Sequence, residues 1–479
     1  MKYFKTIMIS LCVLSTIAIT ATLFLKKDHS KERSTRPIPP DKSIGAISSL
    51  EKVKIGGIDQ WIYINGSDVS KPVLLFLHGG PGYSMLPILH EYNSELEKYY
   101  TVVNWDQRGA GLSYSSKIPK STMTLKQFTS DTHELTSYLK QRFKQEKIFL
   151  VGHSFGTILG MEAINKYPED YYAFVGIGQV ISFAENEQHS YDFALKSAKD
   201  ANNDKAIKEL TKIGRPDENG NYKNDSGYET TIEWLEYFGG SLHGRNSTED
   251  LEEWILRSPI YKDAKHKVES GWIFSDHIFE DKEVRNLNYK NKIKSLDVPV
   301  YFFCGTYDYE TPTKLVEDYF NVLSAPSKEL VWFENSAHFP FYEEPHKFND
   351  IMINKVLAQA LIPNDLTGVW NGTYITNQRT NKMTLDIQKN VSGNYWANFY
   401  FETSDIGYGS ITGSYKMTIS YDTSNNCLVF TGYEWIDKPE GFEMLNLYAN
   451  ISENSLKGNL YLQDRITFAG EFSTEKNID

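Results

Sequence analysis

A chain of 479 residues, 40% hydrophobic and 14% aromatic, can fill more than one core and is not a disordered polymer. Its formal net charge of −12 leaves no excess of Lys and Arg to displace counterions, which argues against nucleic acid as a partner. Three cysteines, Cys12, Cys304 and Cys427, form neither a disulfide framework nor a metal-ligand spacing.

The chain opens with Lys2 and Lys5, followed by 19 uncharged, mostly apolar residues at 7–25. As a helix that run is about 28 Å long, close to the thickness of a bilayer core. It is longer than the apolar region of a cleavable signal peptide, and Lys26-Lys27 follows at once. Residues 1–27 are therefore expected to be an uncleaved membrane anchor, with a signal peptide and a secreted protein as the alternative. Positive charge lies on both sides of the span, so orientation is not set by charge alone. Export of the body to the extracytoplasmic face of a bacterial membrane is the expectation. Residues 28–49, charged and containing Pro37, Pro39 and Pro40, read as a linker.

Residues 53–64 suggest a hairpin around Gly56-Gly57. The apolar run 73–77 reads as a buried strand leading into His78-Gly79-Gly80-Pro81-Gly82. The next strand, 101–105, ends at Asp106-Gln107-Arg108-Gly109-Ala110-Gly111-Leu112-Ser113. An amphipathic helix is predicted over 125–143, then a strand at 148–151, a helix after Thr157 and a strand at 174–177. Strands alternating with helices imply a mostly parallel sheet covered on both faces, an α/β fold. From 181 to 290 the strand signal gives way to polar, aromatic-rich segments of helical character (192–212, 231–238 and 248–256). This stretch reads as an insertion over the carboxyl edge of the sheet. Strands return at 300–303 and 329–333, and a helix over 347–361 closes a domain of residues 50–362.

Beyond Pro363 the composition shifts to Thr, Asn, Tyr and Gly with period-two alternation, as in Tyr395, Ala397, Phe399 and Phe401. Residues 363–479 are predicted to be an all-β domain of roughly eight short strands, a small barrel or sandwich. Its opening, Gly368-Val369-Trp370, looks like the first strand of calycin-type barrels, and a ligand of this domain is a possible partner.

The stretch Val151-Gly152-His153-Ser154-Phe155-Gly156-Thr157, strand before and helix after, has the Gly-x-Ser-x-Gly pattern of a nucleophile elbow. So tight a turn requires near-zero side chains two residues either side of Ser154. A serine hydroxyl needs a base, an orienting acid and donors for the oxyanion. In this fold their order is Ser, acid, His, each after a strand. Asp308 follows the strand at 300–303 and His338 the strand at 329–333, so the triad is predicted to be Ser154, Asp308 and His338. Asp297, which precedes its strand, Glu310 and His346 are rivals. His153 is expected to point away at the elbow.

These motifs, with Ala337-His338-Phe339-Pro340 and Glu343-Glu344-Pro345, resemble the α/β-hydrolase superfamily over about residues 50–361. Within it the similarity is to prolyl-iminopeptidase-like serine hydrolases. The resemblance implies an oxyanion hole from the backbone N–H groups of Gly80 and Phe155, and a structural role for Asp106 and Arg108, tying the second loop to the first. It implies neither metal nor cofactor. Proline iminopeptidases tend to carry Gln and Trp beside the nucleophile where this chain has His153 and Phe155. Their insertion also carries glutamates that grip the substrate's free amine, and no segment here clearly matches those. The activity class carries over, but proline specificity does not.

The leading reading is a membrane-anchored serine hydrolase cutting small peptides, amides or esters through an acyl-enzyme. The alternatives are a carboxylesterase or acyltransferase on small acyl compounds, and a binding protein acting through the β-domain. Acidic residues outnumber basic ones in 181–290. Glu233 and Glu236, three apart among aromatic residues, are candidates to pair with a substrate amine, the plainer reading being a solvated acidic face. The 7–25 run yields a direct test: the full chain should stay in the membrane fraction through alkaline carbonate washing, and release of a form lacking the first 20–30 residues would instead indicate a cleaved signal peptide.

Overall fold

The computed structural model describes residues 45–477, apart from 225, 364, 391–392, 406–408 and 453. Among the described residues no helix is long and apolar enough to cross a membrane, and the predicted span at 7–25 lies outside them.

Eight strands form the first sheet: β1 (Ile47–Ile55), β2 (Ile58–Gly66), β3 (Val73–Leu77), β4 (Thr101–Asp106), β5 (Ile148–His153), β6 (Tyr171–Ile177), β7 (Val300–Gly305) and β8 (Lys328–Phe333). Their order across the sheet is β1-β2-β4-β3-β5-β6-β7-β8. β1 and β2 form the predicted hairpin, and β2 runs antiparallel to β4. Every later neighbour is parallel.

The continuous apolar runs are explained by burial on both faces. In β3, Val73, Leu75 and Leu77 join one core while Leu74 and Phe76 join the other. β7 divides the same way, with Val300, Phe302 and Cys304 on one side and Tyr301 and Phe303 on the other. Alternate side chains of a strand point to opposite faces, so a doubly covered sheet has no polar face to alternate with.

The helix α1 (Leu125–Phe143) has the predicted bounds. The Thr124 hydroxyl caps it by accepting from the Gln127 N–H at 3.2 Å, and Lys144 ends it in the left-handed conformation. The buried arginine of the second loop meets α1: Arg108 makes a two-pronged ion pair with Asp131, at 2.8 and 3.2 Å, and donates to the carbonyl of Gly56. Arg108 thus ties the loop to α1 and the β1–β2 turn. Asp106 accepts from the Leu112 N–H within its own loop and from the Tyr261 hydroxyl. For Arg108 the expected tie to the first loop is corrected: Gln107 makes it, through its N–H to His78 Nε2 and its amide to the His78 carbonyl, while Asp106 interacts with Ser84 just past the glycine loop.

Between β6 and β7 the chain is helical, including α3 (Phe183–Asp200), α4 (Asp204–Ile213), α5 (Gly227–Tyr237) and α6 (Glu249–Arg257), with α2 (Phe155–Lys166) preceding β6. The helix expected over 192–212 is two helices. Asn202 takes a positive φ of 51°, and the Asn203 side chain starts the second by accepting from the Ala206 N–H. The closing helix expected over 347–361 is also interrupted: a wider π turn at Met352–Leu357 turns Met352, Ile353, Val356 and Leu357 all inward.

Residues 368–476 form a closed barrel of eight strands, β9 (Gly368–Thr376) to β16 (Phe468–Lys476), antiparallel throughout, with β9 pairing with both β10 (Arg379–Lys389) and β16. Closure removes every free edge. The inward face of the alternation fills the lumen: Trp370, Tyr374, Leu385, Phe399, Phe430 and Phe472 share one core. A ligand held inside the barrel, in the manner of a calycin cup, would have to displace these side chains.

Among the described residues the barrel core begins at Ile362, and the fully buried sheet cores end at Leu357, with Ala360 and Leu361 packed against the second. A polar contact joins the two at the seam, Gln359 Nε2 donating to the Gly393 carbonyl at 3.0 Å. Separate cores predict that a chain ending at Leu361 stays folded and hydrolyses small substrates; loss of solubility, or of activity on every substrate of the full chain, would show the barrel to be part of the catalytic unit.

Candidate active site

The site is built at the carboxyl ends of β3, β5, β7 and β8. β5 runs to His153, and α2 begins at Phe155. Ser154 joins them with φ +52° and ψ −123°, a conformation that costs a residue with a side chain about 1–3 kcal/mol. Two glycines make the turn possible. A Cβ on Gly152 would lie 2.6 Å from the Gly156 carbonyl oxygen, and one on Gly156 would lie 2.2 Å from that of Leu77. The Ser154 N–H is held by the Ile177 carbonyl at 2.9 Å, and the Ser154 carbonyl accepts from Thr157 N–H at 2.8 Å. The side chain is what remains free to face the cavity.

Asp308 and His338 meet as the loop order predicts. His338 Nδ1 lies 2.9 Å from Asp308 Oδ2, both side chains being buried. Asp308 is fixed by Thr311, whose N–H donates to Oδ1 at 2.9 Å and whose hydroxyl donates to Oδ2 at 2.8 Å. His338 Nε2, the nitrogen available to a nucleophile, makes no aligned hydrogen bond and so none to Ser154. Glu310 Oε2 lies 2.9 Å from it instead, an ion-pair contact off the hydrogen-bond direction. Burial alone would depress the His338 pKa. The carboxylates of Asp308 and Glu310 overcome that and hold it well above the ordinary histidine value. Burial pushes Glu310 up, and His338 outweighs it, leaving Glu310 below the usual range.

His153 does not point away. Its Nε2 lies 2.9 Å from the His338 carbonyl oxygen and its ring is 4.7 Å from the His338 ring. Burial, with His338 alongside, drives its pKa well below the ordinary value, so it stays neutral. A residue beside the nucleophile in sequence thus supports the backbone of the histidine.

Ser154, Gly80, Phe155 and His338 line one cavity of about 260 Å³. Phe155 opens α2, so its N–H has no acceptor within the helix. Gly80 has φ +105°, and a Cβ there would lie 2.6 Å from the Tyr83 nitrogen. The insertion roofs the cavity with Asn186 and Glu187 from α3, Ile232 and Glu236 from α5, and Thr248 and Glu252 beside or within α6. Glu236 is therefore in the cavity. Glu233 is not: it is exposed and absent from the lining, because positions three apart on a helix are offset by about 60° and only one looks inward here. Asp297 and His346 are likewise outside the lining.

Glu187, Glu252 and Glu310 escaped the sequence reading as a group, since they lie on separate elements. Together with Glu236 they place four carboxylates around one cavity. Burial pushes Glu187 up to about 8 and, with Glu310 nearby, Glu236 up to about 7. Glu252 is raised for the same reason. Among the described residues no group of three or more His, Cys, Asp and Glu is placed to hold a metal ion. Beside these carboxylates, Phe155, Ile158, Val180, Phe183 and Phe279 form an apolar part of the wall.

The alpha/beta hydrolase fold family matches residues 72–345. The chain belongs to that family. This α/β hydrolase is similar to the probable aminopeptidase YbaC of Bacillus subtilis (strain 168), 35% identical over 316 residues, which are 65% of this chain and 96% of that protein. It is 29% identical over 278 residues to the proline iminopeptidase of Heyndrickxia coagulans, covering 58% of this chain and 87% of that protein. Among solved structures, a proline iminopeptidase-related protein from Thermus thermophilus superposes with a TM-score of 0.46 at 17% identity, covering 64% of this chain and 96% of that one. The α/β hydrolase is an enzyme, and its aminopeptidase-like resemblance stands on these sequence relatives.

The elbow predicts the outcome of removing its hydroxyl: Ser154→Ala abolishes turnover and labelling by a fluorophosphonate while the melting temperature is kept, and His338→Ala loses several orders of magnitude in kcat. Labelling of Ser154→Ala above background would reject this serine as the nucleophile.

Proposed function

We propose that this enzyme is a serine aminopeptidase that removes a small apolar N-terminal residue from peptides or amides through an acyl-enzyme. The observation that supports it is the set of four carboxylates around the cavity that Ser154 faces. The names of the two similar proteins, an aminopeptidase and a proline iminopeptidase, agree with it.

In this reading His338 Nε2 takes the Ser154 proton as Oγ attacks the scissile carbonyl. Asp308 holds the ring through Nδ1 and stabilises the imidazolium that forms. The N–H groups of Gly80 and Phe155 receive the oxyanion, the second at a helix N-terminus where the dipole favours negative charge. His338 then returns its proton to the leaving amine, and water repeats the sequence on the acyl-enzyme. The substrate's ammonium sits among the carboxylates, Glu236 foremost, and its side chain lies against the Phe and Ile wall. Proline is one residue of suitable size and polarity. The 7–25 segment anchors the enzyme in a membrane, with the catalytic body on the extracytoplasmic side.

An esterase acting on simple acyl groups is the alternative that the apolar wall favours. It leaves the carboxylates unpaired in the complex, which costs affinity for an uncharged ligand. The two readings part on one measurement. kcat/KM for a free aminoacyl p-nitroanilide should exceed that for its N-acylated form by well over about tenfold, and Glu236→Gln should lose that preference. Because the Glu236 pKa is raised to about 7, its carboxylate is about half ionised there, so the preference should grow as pH rises from 6 to 7 and fall again once the substrate's amino group loses its proton at about pH 8. A ratio near one, with faster cleavage of simple esters, rejects the aminopeptidase.

A further inference from the structure

Glu310 stands where the nucleophile's proton should go. Its Oε2 is 2.9 Å from His338 Nε2, whereas Nε2 has no hydrogen bond to Ser154. Its other oxygen, Oε1, accepts from the Ser241 hydroxyl at 2.7 Å. Its backbone carbonyl accepts from the Asn186 amide at 2.5 Å, and the neighbouring Tyr309 carbonyl accepts from Ser190 at 2.7 Å. Asn186 and Ser190 belong to α3, in the roof, so the loop carrying Glu310 is fastened to the cap as well as to the sheet, where the Thr306 N–H donates to the Phe333 carbonyl at 3.0 Å. Glu310 is thus both the carboxylate at the Nε2 side of the base and a member of the cluster that faces the substrate's ammonium.

We propose that Glu310 is a positioning residue that holds the empty site off: its carboxylate pairs with His338 in place of the Ser154 hydroxyl, and the ammonium group of an arriving substrate draws it away. This rests on the serine-aminopeptidase reading above.

The charges around His338 account for the direction of the effect. Asp308 faces Nδ1 and Glu310 faces Nε2. From the other elements come the neutral ring of His153, with His78 behind it, and the cavity carboxylates Glu187, Glu236 and Glu252. Glu343 lies behind the loop, accepting from the Ala337 and Phe339 N–H groups. Every ionised neighbour is negative, so the empty site favours a doubly protonated imidazolium, which cannot accept the Ser154 proton. A bound ammonium cancels part of that field and competes for Glu310. The Nε2 proton then leaves to solvent, and the freed lone pair faces Ser154 Oγ. Proton balance is kept: one ammonium enters and one proton is released. An uncharged substrate brings no such cation and meets a base that is still protonated, so selection for a free amine acts on reactivity as well as affinity.

The test uses the full chain and an uncharged alkyl fluorophosphonate, whose rate of Ser154 labelling reports the free base without any aminopeptidase substrate. In the unaltered enzyme, labelling should rise with pH only well above the ordinary histidine range. Glu310→Gln keeps the Ser241 contact and removes the charge. Its profile should move down by at least about one pH unit, with labelling at pH 7 faster by about tenfold. In the unaltered enzyme, methylammonium chloride should accelerate labelling at pH 7 relative to equal sodium chloride, and should do nothing in Glu310→Gln. Superimposed pH profiles for the two chains, with Ser154 labelled in both, overturn the role of Glu310 and leave the hydrolase reading standing. Absence of Ser154 labelling in both chains at every pH rejects the serine-hydrolase reading and this proposal together. If Glu310→Gln does not fold, the methylammonium measurement on the unaltered chain decides, and no acceleration there overturns the proposal.

Discussion

The backbone of Ser154, at φ +52°, is held in place by close approach: β5, α2 and the end of β3 come within van der Waals reach of one another around it, with Gly152 and Gly156 leaving the room. Everything else in the site is arranged relative to that point. The glycine loop after β3 passes beside it, since a Cβ on Gly79 would lie 2.8 Å from the Ser154 Cβ. The His338 loop is registered to it through His153, which bonds the His338 carbonyl. The local strain is offset by two sheet cores whose Leu, Ile and Phe side chains each contribute about 1.5–3 kcal/mol on burial.

A second theme is the cost of excluding water from charge. Arg108 and Asp131 are almost wholly buried and satisfy each other with two hydrogen bonds, plus a carbonyl and Gln60 and Gln127 as further partners. Of the cavity carboxylates Glu310 pairs with His338, whereas Glu187, Glu236 and Glu252 are raised chiefly by burial. Their raised affinities for protons follow from being held together in a dry space. In the aminopeptidase reading such a pocket is matched to a cationic guest, and the same field acts on His338. In the proposed mechanism binding and base strength are linked by electrostatics across a few ångströms, without a moving domain.

The barrel stands apart from this chemistry. Its lumen is filled by aromatic and aliphatic side chains, and its core is separate from those of the sheet. The similar proteins cover about two thirds of this chain and nearly all of their own length, so the likeness belongs to a unit the size of the hydrolase rather than to the whole. What the barrel's outer surface contacts is a question about its exposed residues, such as Ile466 and Phe468, rather than about a cup.

Period and spacing alone determined the bounds of β3 and α1, the two-sided burial of the sheet and the rough strand count of the barrel, while the elbow motif and the fold it resembles supplied Ser154, Asp308 and His338 as candidates. These are local properties: alternation of apolar residues, a capping threonine, glycines where a turn needs them. Where sequence reading failed, the deciding contact was between distant elements. Gln107 rather than Arg108 links the two loops because a fold, not a motif, brings His78 to it. Of Glu233 and Glu236 only one looks inward, because the direction in which α5 is docked is set by its neighbours. Glu187, Glu252 and Glu310 are far apart in the sequence, and only the closing of the cap over the sheet makes them one charged site. A side chain's chemistry is written in the chain, but which charges share a dry cavity is decided by tertiary packing, because electrostatic interaction depends on distance and burial and neither is a local property.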